Sequence, residues 1–155
     1  MLKKKEENIN ETILLQLFED GFATTEVDLI PGKVQATLKN LGSQDQIQIE
    51  KEMEDITGGT PVIIHTYGLK LLGATLVKYG TNVFSDREAA VNFLEKANLS
   101  SALIDKLVKS QNLLEKRVRA ALNMDEIDKV FFAPASPPEE QKPSSKDTMS
   151  ASEEV

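Results

Sequence analysis

The sequence predicts a mainly helical α+β domain with one β-hairpin, built as a compact bundle of about five helices around a buried central helix. The first observation is composition: 40% of the 155 residues are hydrophobic, but only 5% are aromatic and tryptophan is absent. Such a core must consist of Leu, Ile, Val and Ala, which favours helix packing. The other two observations are the helical spacing of apolar residues through most of the chain and a single stretch that alternates with the period of a strand.

That change of period separates the first helix from the hairpin. Residues 8–18 have helical spacing at Ile9, Ile13, Leu14, Leu17 and Phe18, and Gly21 can end the turn that follows. Residues 25–41 are predicted to form the hairpin, with apolar positions at Val27, Leu29, Val34, Ala36 and Leu38. Pro31 and Gly32 supply the turn, because proline fixes φ at the first central position and glycine allows a positive φ at the second. An isolated hairpin is barely stable, so its apolar face must lie on helices or on a partner.

Polar caps predict the starts of three more helices. Ser43 with Gln46, and Ser85 with Glu88, form capping-box patterns. The helix at Ser43 is predicted to reach Gly58-Gly59, and the helix at Ser85 to reach about residue 97. Ser100-Ser101 caps a long helix that reads through to residue 123, with an apolar stripe at Leu103, Leu107, Leu114, Val118 and Leu122.

The third helix is the predicted centre of the bundle. Thr60 is its expected cap and Pro61 its first helical residue, where the missing N–H costs nothing. Residues 62–79 are apolar on nearly every side, which predicts a helix enclosed by the others. Gly68 and Gly73 each cost about 1 kcal/mol of helix propensity relative to alanine. We therefore expect them to permit close approach of a neighbouring helix or a bend.

The chain divides into a helical domain over residues 1–132 and a tail over residues 133–155. Proline, serine, glutamate and lysine dominate the tail without periodicity, which predicts a disordered acidic segment that cannot offset its ordering entropy by burial. Residues 1–7 form a short basic run that turns acidic, with no long apolar stretch behind it. We expect neither a secretory signal nor a membrane anchor, and a soluble protein made in the cytoplasm.

Charge and cysteine content exclude several classes of function. A net charge of −7 repels phosphate backbones, and the basic groups at residues 3–5 and 116–119 have acidic neighbours and no interleaved aromatic residues. Nucleic acid is therefore not an expected partner. Because the chain has no cysteine, it can form no disulfide framework, thiolate nucleophile or cysteine-ligated zinc site.

The remaining chemistry-bearing residues form no recognisable site pattern. His65, the single histidine, has no acidic residue or second histidine at ligand spacing, so we interpret it as a packed or edge-exposed structural side chain. Gly58-Gly59 lacks the spacing of a phosphate-binding loop. Carboxylates cluster at residues 50–55 and 125–128, but their spacing is typical of solvated helix surfaces. No catalytic residue, metal or cofactor is predicted, and we expect the protein not to be an enzyme.

A short apolar patch at the end of the domain is the predicted partner-binding site. It consists of Ile127, Val130, Phe131 and Phe132, next to the acidic tail. An exposed Phe-Phe pair without a partner favours aggregation. The patch therefore either folds back on the core or docks into another protein, and aromatic anchors beside disordered sequence suit reversible capture.

The order of these parts resembles that of a known protein family. The segments that carry the resemblance are KVQATLK at 33–39, QIQIEK at 46–51, TLVKYG at 75–80, FSDRE at 84–88 and LLEKRV at 113–118. Together they are similar to the tail assembly chaperones of tailed bacteriophages and to the small baseplate-hub assembly proteins of contractile-tailed phages. The resemblance covers residues 27–132 and lies in element order and apolar pattern.

The resemblance implies a protein that binds the tape-measure protein or the baseplate hub and keeps aggregation-prone helical segments soluble until the tail polymerises. The predicted function is thus a non-enzymatic tail or baseplate assembly factor in the host cytoplasm. One alternative is a permanent component of the virion tail or baseplate. Another is a regulator that binds a host or phage enzyme.

Overall fold

The computed structural model describes residues 2–131 and shows a four-stranded antiparallel sheet packed against helices. This confirms the predicted mainly helical α+β class. The elements in chain order are α1 (Leu2–Glu19), β1 (Thr24–Ile30), β2 (Val34–Lys39), α2 (Ser43–Glu54), α3 (Thr60–Thr75), β3 (Leu76–Tyr79), β4 (Asn82–Val83), α4 (Arg87–Ala97), α5 (Ser101–Ala121) and α6 (Met124–Phe131). The predicted tail, residues 133–155, and Phe132 lie outside the described residues.

The predicted hairpin is present as β1 and β2. Its turn has the expected geometry, since Lys33 donates its backbone N–H to the carbonyl of Ile30 over 2.9 Å and Gly32 has a φ of +70°. Ala36 and Leu38 on β2 are fully buried on one face, whereas Gln35, which precedes them on the opposite face, is exposed and Thr37 between them is half-buried. The sheet therefore rests on the helices with one face, as the alternating pattern requires.

The sheet is larger than one hairpin, which corrects the prediction for residues 76–83. The central helix was expected to reach Tyr79, but it ends at Thr75, and the next residues form β3. β3 pairs with β2, placing Leu38 opposite Leu76 and Ala36 opposite Tyr79, and β4 pairs with β3. A period-based argument misses this change because Leu76 continues the apolar run of the helix, while the strand is selected by pairing with distant residues.

Two hydrophobic clusters hold the fold together. The larger joins the sheet to α3, α4 and α5 through Val27, Ala36, Leu38, Leu72, Leu76, Ala90, Leu94, Ile104 and Leu107. The smaller packs α1 on the second half of α5 through Ile13, Ala23, Leu114, Val118 and Ala121. α5 spans both clusters and therefore connects α1 to the sheet.

Three of the predicted helix N-caps are corrected and one is confirmed. Gly42 and Gly59, not Ser43 and Thr60, occupy the caps of α2 and α3, and neither makes a side-chain cap bond. The α4 cap is Asp86 rather than Ser85, because the Asp86 carboxylate accepts the N–H of Ala89. Ser100 caps α5 as predicted and accepts the N–H of Leu103.

The predicted helices also differ in extent and exposure. α1 begins at Leu2 rather than at residue 8, and its Phe18 is 83% exposed because the smaller cluster covers only one side of this helix. Leu122, the last residue of the predicted α5 stripe, lies just after the helix and is also exposed. Residues 124–131 form the additional helix α6, which was not predicted and which contains three of the four residues of the predicted patch, Ile127, Val130 and Phe131.

Candidate functional site

α3 is buried over its second half only, which corrects the prediction of an enclosed central helix. Gly68 and the run from Leu71 to Thr75 are buried. In the first half, four apolar side chains reach solvent, with exposed fractions of 54% for Val62, 38% for Ile63, 66% for Ile64 and 43% for Tyr67. We call these four residues the apolar ridge. Adjacent exposed residues of this size mark interaction surfaces more often than scattered ones do.

The two glycines explain why the helix is covered on one half. A Cβ atom at Gly73 would lie 2.5 Å from the Val91 side chain of α4, and one at Gly68 would lie 3.3 Å from the Val108 side chain of α5. Both close approaches fall at or after Gly68. α4 and α5 therefore cover the second half of α3 and leave the ridge uncovered.

A groove of about 450 Å³ adjoins the ridge between α2, α3 and α4. Its lining residues are Glu52, Thr66, Leu69, Lys70, Arg87, Glu88, Val91, Leu94 and Glu95. Val62 and Ile63 share the groove-lining side of α3, because residues three and four apart lie on one helix face and Thr66 and Lys70 follow them at that spacing. The apolar floor of the groove thus continues onto the ridge.

An ion cluster forms part of the lining of this groove. Glu52 of α2 accepts hydrogen bonds from Lys70 of α3 at 2.7 Å and from both terminal nitrogens of Arg87 of α4 at 3.0 and 3.2 Å. Gln48 adds a bond of 3.0 Å to the same carboxylate. The cluster joins three helices with side chains that remain roughly one quarter exposed, 29% for Glu52.

The electrostatics of the cluster fix Glu52 as an anion. Hydrogen bonds from Lys70, Gln48 and Arg87 outweigh the effect of burial and lower the pKa of Glu52 from 4.5 to about 2. A carboxylate with so low a pKa is a poor general base near neutral pH. Within residues 2–131, the buried Nε of Arg87 has no hydrogen-bond partner and Glu88 and Glu95 form no ion pair, so the groove keeps unmatched polar groups.

The other predicted chemical residues are not brought together. His65 is exposed on the first half of α3. In the acidic group near residue 126, Asp128 pairs with Arg119 at 2.6 Å and Glu126 with Lys129 at 3.1 Å. Over the described range, 2–131, no three His, Cys, Asp or Glu side chains are grouped closely enough to hold a metal ion.

The predicted partner-binding patch is described only in part. Ile127 lies on α6 and is 43% exposed. The backbone of Val130 and Phe131 continues the same helix, but the structure does not describe their side chains. Phe132 lies outside the described residues. The two predicted alternatives, that the patch folds back on the core or docks into another protein, both stay predictions.

Sequence reasoning missed both the ridge and the ion cluster. Val62, Ile63 and Ile64 are predicted to lie in the core because residues 62–79 are apolar on nearly every side. Lys70 was the available signal for the cluster, since it is the single charged residue within α3 and needs a partner where the helix becomes buried. Its partner Glu52 was grouped with the solvated carboxylates of α2.

Two further findings concern the hydropathy of the described helices and the similarity of the chain to known proteins. No helix between residues 2 and 131 has both the length and the hydropathy that crossing a bilayer requires. The chain matches no protein-family model, no curated protein and no solved structure in the comparisons made.

Proposed function

We propose that the protein is a non-enzymatic phage tail or baseplate assembly factor, which holds a helical segment of another tail protein on the apolar ridge of α3. The observation that carries the proposal is the exposure of Val62, Ile63, Ile64 and Tyr67 on two consecutive helical turns beside a groove. A partner helix that covered this surface would keep its own apolar face out of water. The resemblance in element order supplies the phage-tail part of the proposal.

The edges of the sheet support a helical partner over an added strand. On the edge strand β1, Gln16 accepts the N–H of Thr24 at 3.2 Å, and Lys106 donates to the carbonyl of Asp28. β4, at the opposite edge, contains only Asn82 and Val83. An added strand needs a free row of backbone groups, and neither edge offers a long one.

The test is capture of partners from infected host cells by the tagged full chain and by two variants. Val62→Asp places a charge on the groove side of the ridge, and Val83→Asp is the matched control, because Val83 is the same residue type and is also more than half exposed, at 71%, but lies on β4. We expect the wild-type chain and the control to retain the tape-measure or hub protein, and Val62→Asp to lose it. Both variants should keep the wild-type circular dichroism spectrum.

Two outcomes separate this proposal from its rivals. Capture of host proteins alone, with no tail protein, would contradict the assembly role and favour the regulator. Mass spectrometry of purified particles distinguishes the two tail roles, because an assembly factor is absent from the finished particle and a permanent component is present.

A further inference from the structure

The charges that border the groove specify what kind of helix fits it. Five charged side chains line the groove, and the two cations, Lys70 and Arg87, are both bonded to Glu52. Glu88 and Glu95 are left as the groove charges that form no ion pair within the described residues. The two groove charges that have no ion-pair partner among the described residues are therefore both negative.

The two glutamates have a regular geometry. They lie seven residues apart on α4, which places their Cα atoms on one face and about 10 Å apart along the helix axis. Val91 and Leu94 lie between them in the same groove, opposite Leu69 of α3. The surface is thus an apolar floor with two carboxylates along one border, spaced by two helical turns.

We infer that the groove and the adjoining ridge bind a basic amphipathic helix, whose apolar face lies on Leu69, Val91 and Val62 and whose Lys or Arg residues, seven positions apart, meet Glu88 and Glu95. The complementarity is both apolar and electrostatic, as in other helix-in-groove complexes. This inference rests on the proposed function and adds the chemistry of the partner segment.

The experiment uses the full chain and two synthetic helical peptides of equal length with the same leucine stripe. One peptide carries lysine at two positions seven residues apart beside the stripe, and the other carries glutamate there. Fluorescence anisotropy gives the affinity of each peptide at low and high salt. We expect the basic peptide to bind roughly tenfold more tightly at low salt, and the preference to shrink at high salt because exposed charges are screened.

Charge reversal provides the decisive variant. Glu88→Lys with Glu95→Lys should reverse the preference, so that the acidic peptide binds more tightly. Glu11→Lys with Glu26→Lys is the matched control, because it changes the net charge equally at two exposed glutamates on α1 and β1 and should leave the preference unchanged. Circular dichroism checks that both variants are folded.

The outcomes separate this inference from the proposed function. A basic peptide that binds no more tightly than the acidic one, or a preference that the control reverses equally, overturns the inference. If Val62→Asp abolishes capture of the tail protein while reversal at Glu88 and Glu95 has no effect on it, the assembly role stands and the basic-helix inference fails. If capture depends on neither, both fail.

Discussion

The two halves of α3 have similar hydrophobicity and opposite environments. Residues 60–67, TPVIIHTY, hold the ridge in solvent, whereas residues 68–75, GLKLLGAT, contain most of the buried surface of the helix. The exposed half contains the bulkier β-branched side chains. Apolar composition therefore does not decide which half enters the core.

Side-chain size decides which half of α3 is buried. The buried half has small residues where neighbouring helices cross, so that Val91 and Val108 approach the backbone closely at Gly73 and Gly68. The exposed half has Val62, Ile63 and Ile64 in succession, and a neighbouring helix could not come as close to their branched side chains. A hydrophobic run without small residues can therefore form a docking surface rather than a core helix.

The largest expected effect tests burial directly by truncating one side chain in each half. Leu72→Ala should lower the free energy of unfolding by about 3 kcal/mol, because Leu72 is fully buried and its loss leaves a cavity. Ile64→Ala should change it by only about 0.5 kcal/mol, because Ile64 is 66% exposed. Urea denaturation measures both values. Equal losses in the two variants would mean that the ridge is packed, and the comparison between the halves would be wrong.

A smaller effect tests the crossing points with two identical substitutions. Gly73→Ala should destabilise the fold by about 2 kcal/mol, because its Cβ would lie 2.5 Å from Val91 and force the two helices apart. Gly68→Ala should stay within about 0.5 kcal/mol of wild type, because a 3.3 Å contact needs only a slight shift and alanine gains helix propensity. Thermal unfolding of the pair gives the measurement. A neutral Gly73→Ala would show that the α3–α4 contact is loose.

Sequence reasoning predicted the elements with strong periodicity and missed those that depend on distant partners. The hairpin and the Ser100 cap follow from local rules and are present. β3 is not visible locally, because it is selected by pairing with β2 across about forty intervening residues. Gln111 shows the same limit inside a helix: it is fully buried, its side-chain Nε2 donates to the Lys39 carbonyl at 3.0 Å and to Glu115 at 2.8 Å, and no local pattern predicts these contacts.

The candidate site was predictable in its residue types but not in its geometry. The apolar run of α3 was evident from sequence, yet its exposure depends on where α4 and α5 cross the helix. The ion cluster combines residues from α2, α3 and α4, and no spacing rule links Glu52 to Arg87. Both features arise from tertiary contacts, which single-sequence patterns do not encode.

The smallest expected effect concerns the ion cluster that anchors the buried half of α3 to α2 and α4. The folded pKa of Glu52, about 2, lies below its ordinary value of 4.5, so the cluster contributes fully above pH 4.5 and loses its contribution as the pH falls toward 2. Glu52→Gln should therefore cost about 1 kcal/mol at pH 7, a value kept low by solvent screening of the partly exposed side chains. Near pH 2 the variant and the wild-type chain should be equally stable.

Urea denaturation of both proteins between pH 7 and pH 2 measures this difference. Subtracting the unfolding free energy of the variant from that of the wild-type chain at each pH removes the contribution of the other carboxylates. Glu126→Gln is the control, because the Glu126–Lys129 pair is more than 70% exposed on both sides and should contribute nothing measurable at any pH. A gap between wild type and Glu52→Gln that stayed constant from pH 4.5 to 2 would show that the charge of Glu52 contributes nothing. The buried half of α3 would then be held by packing alone, and the contrast with the ridge would reduce to the two glycine crossings.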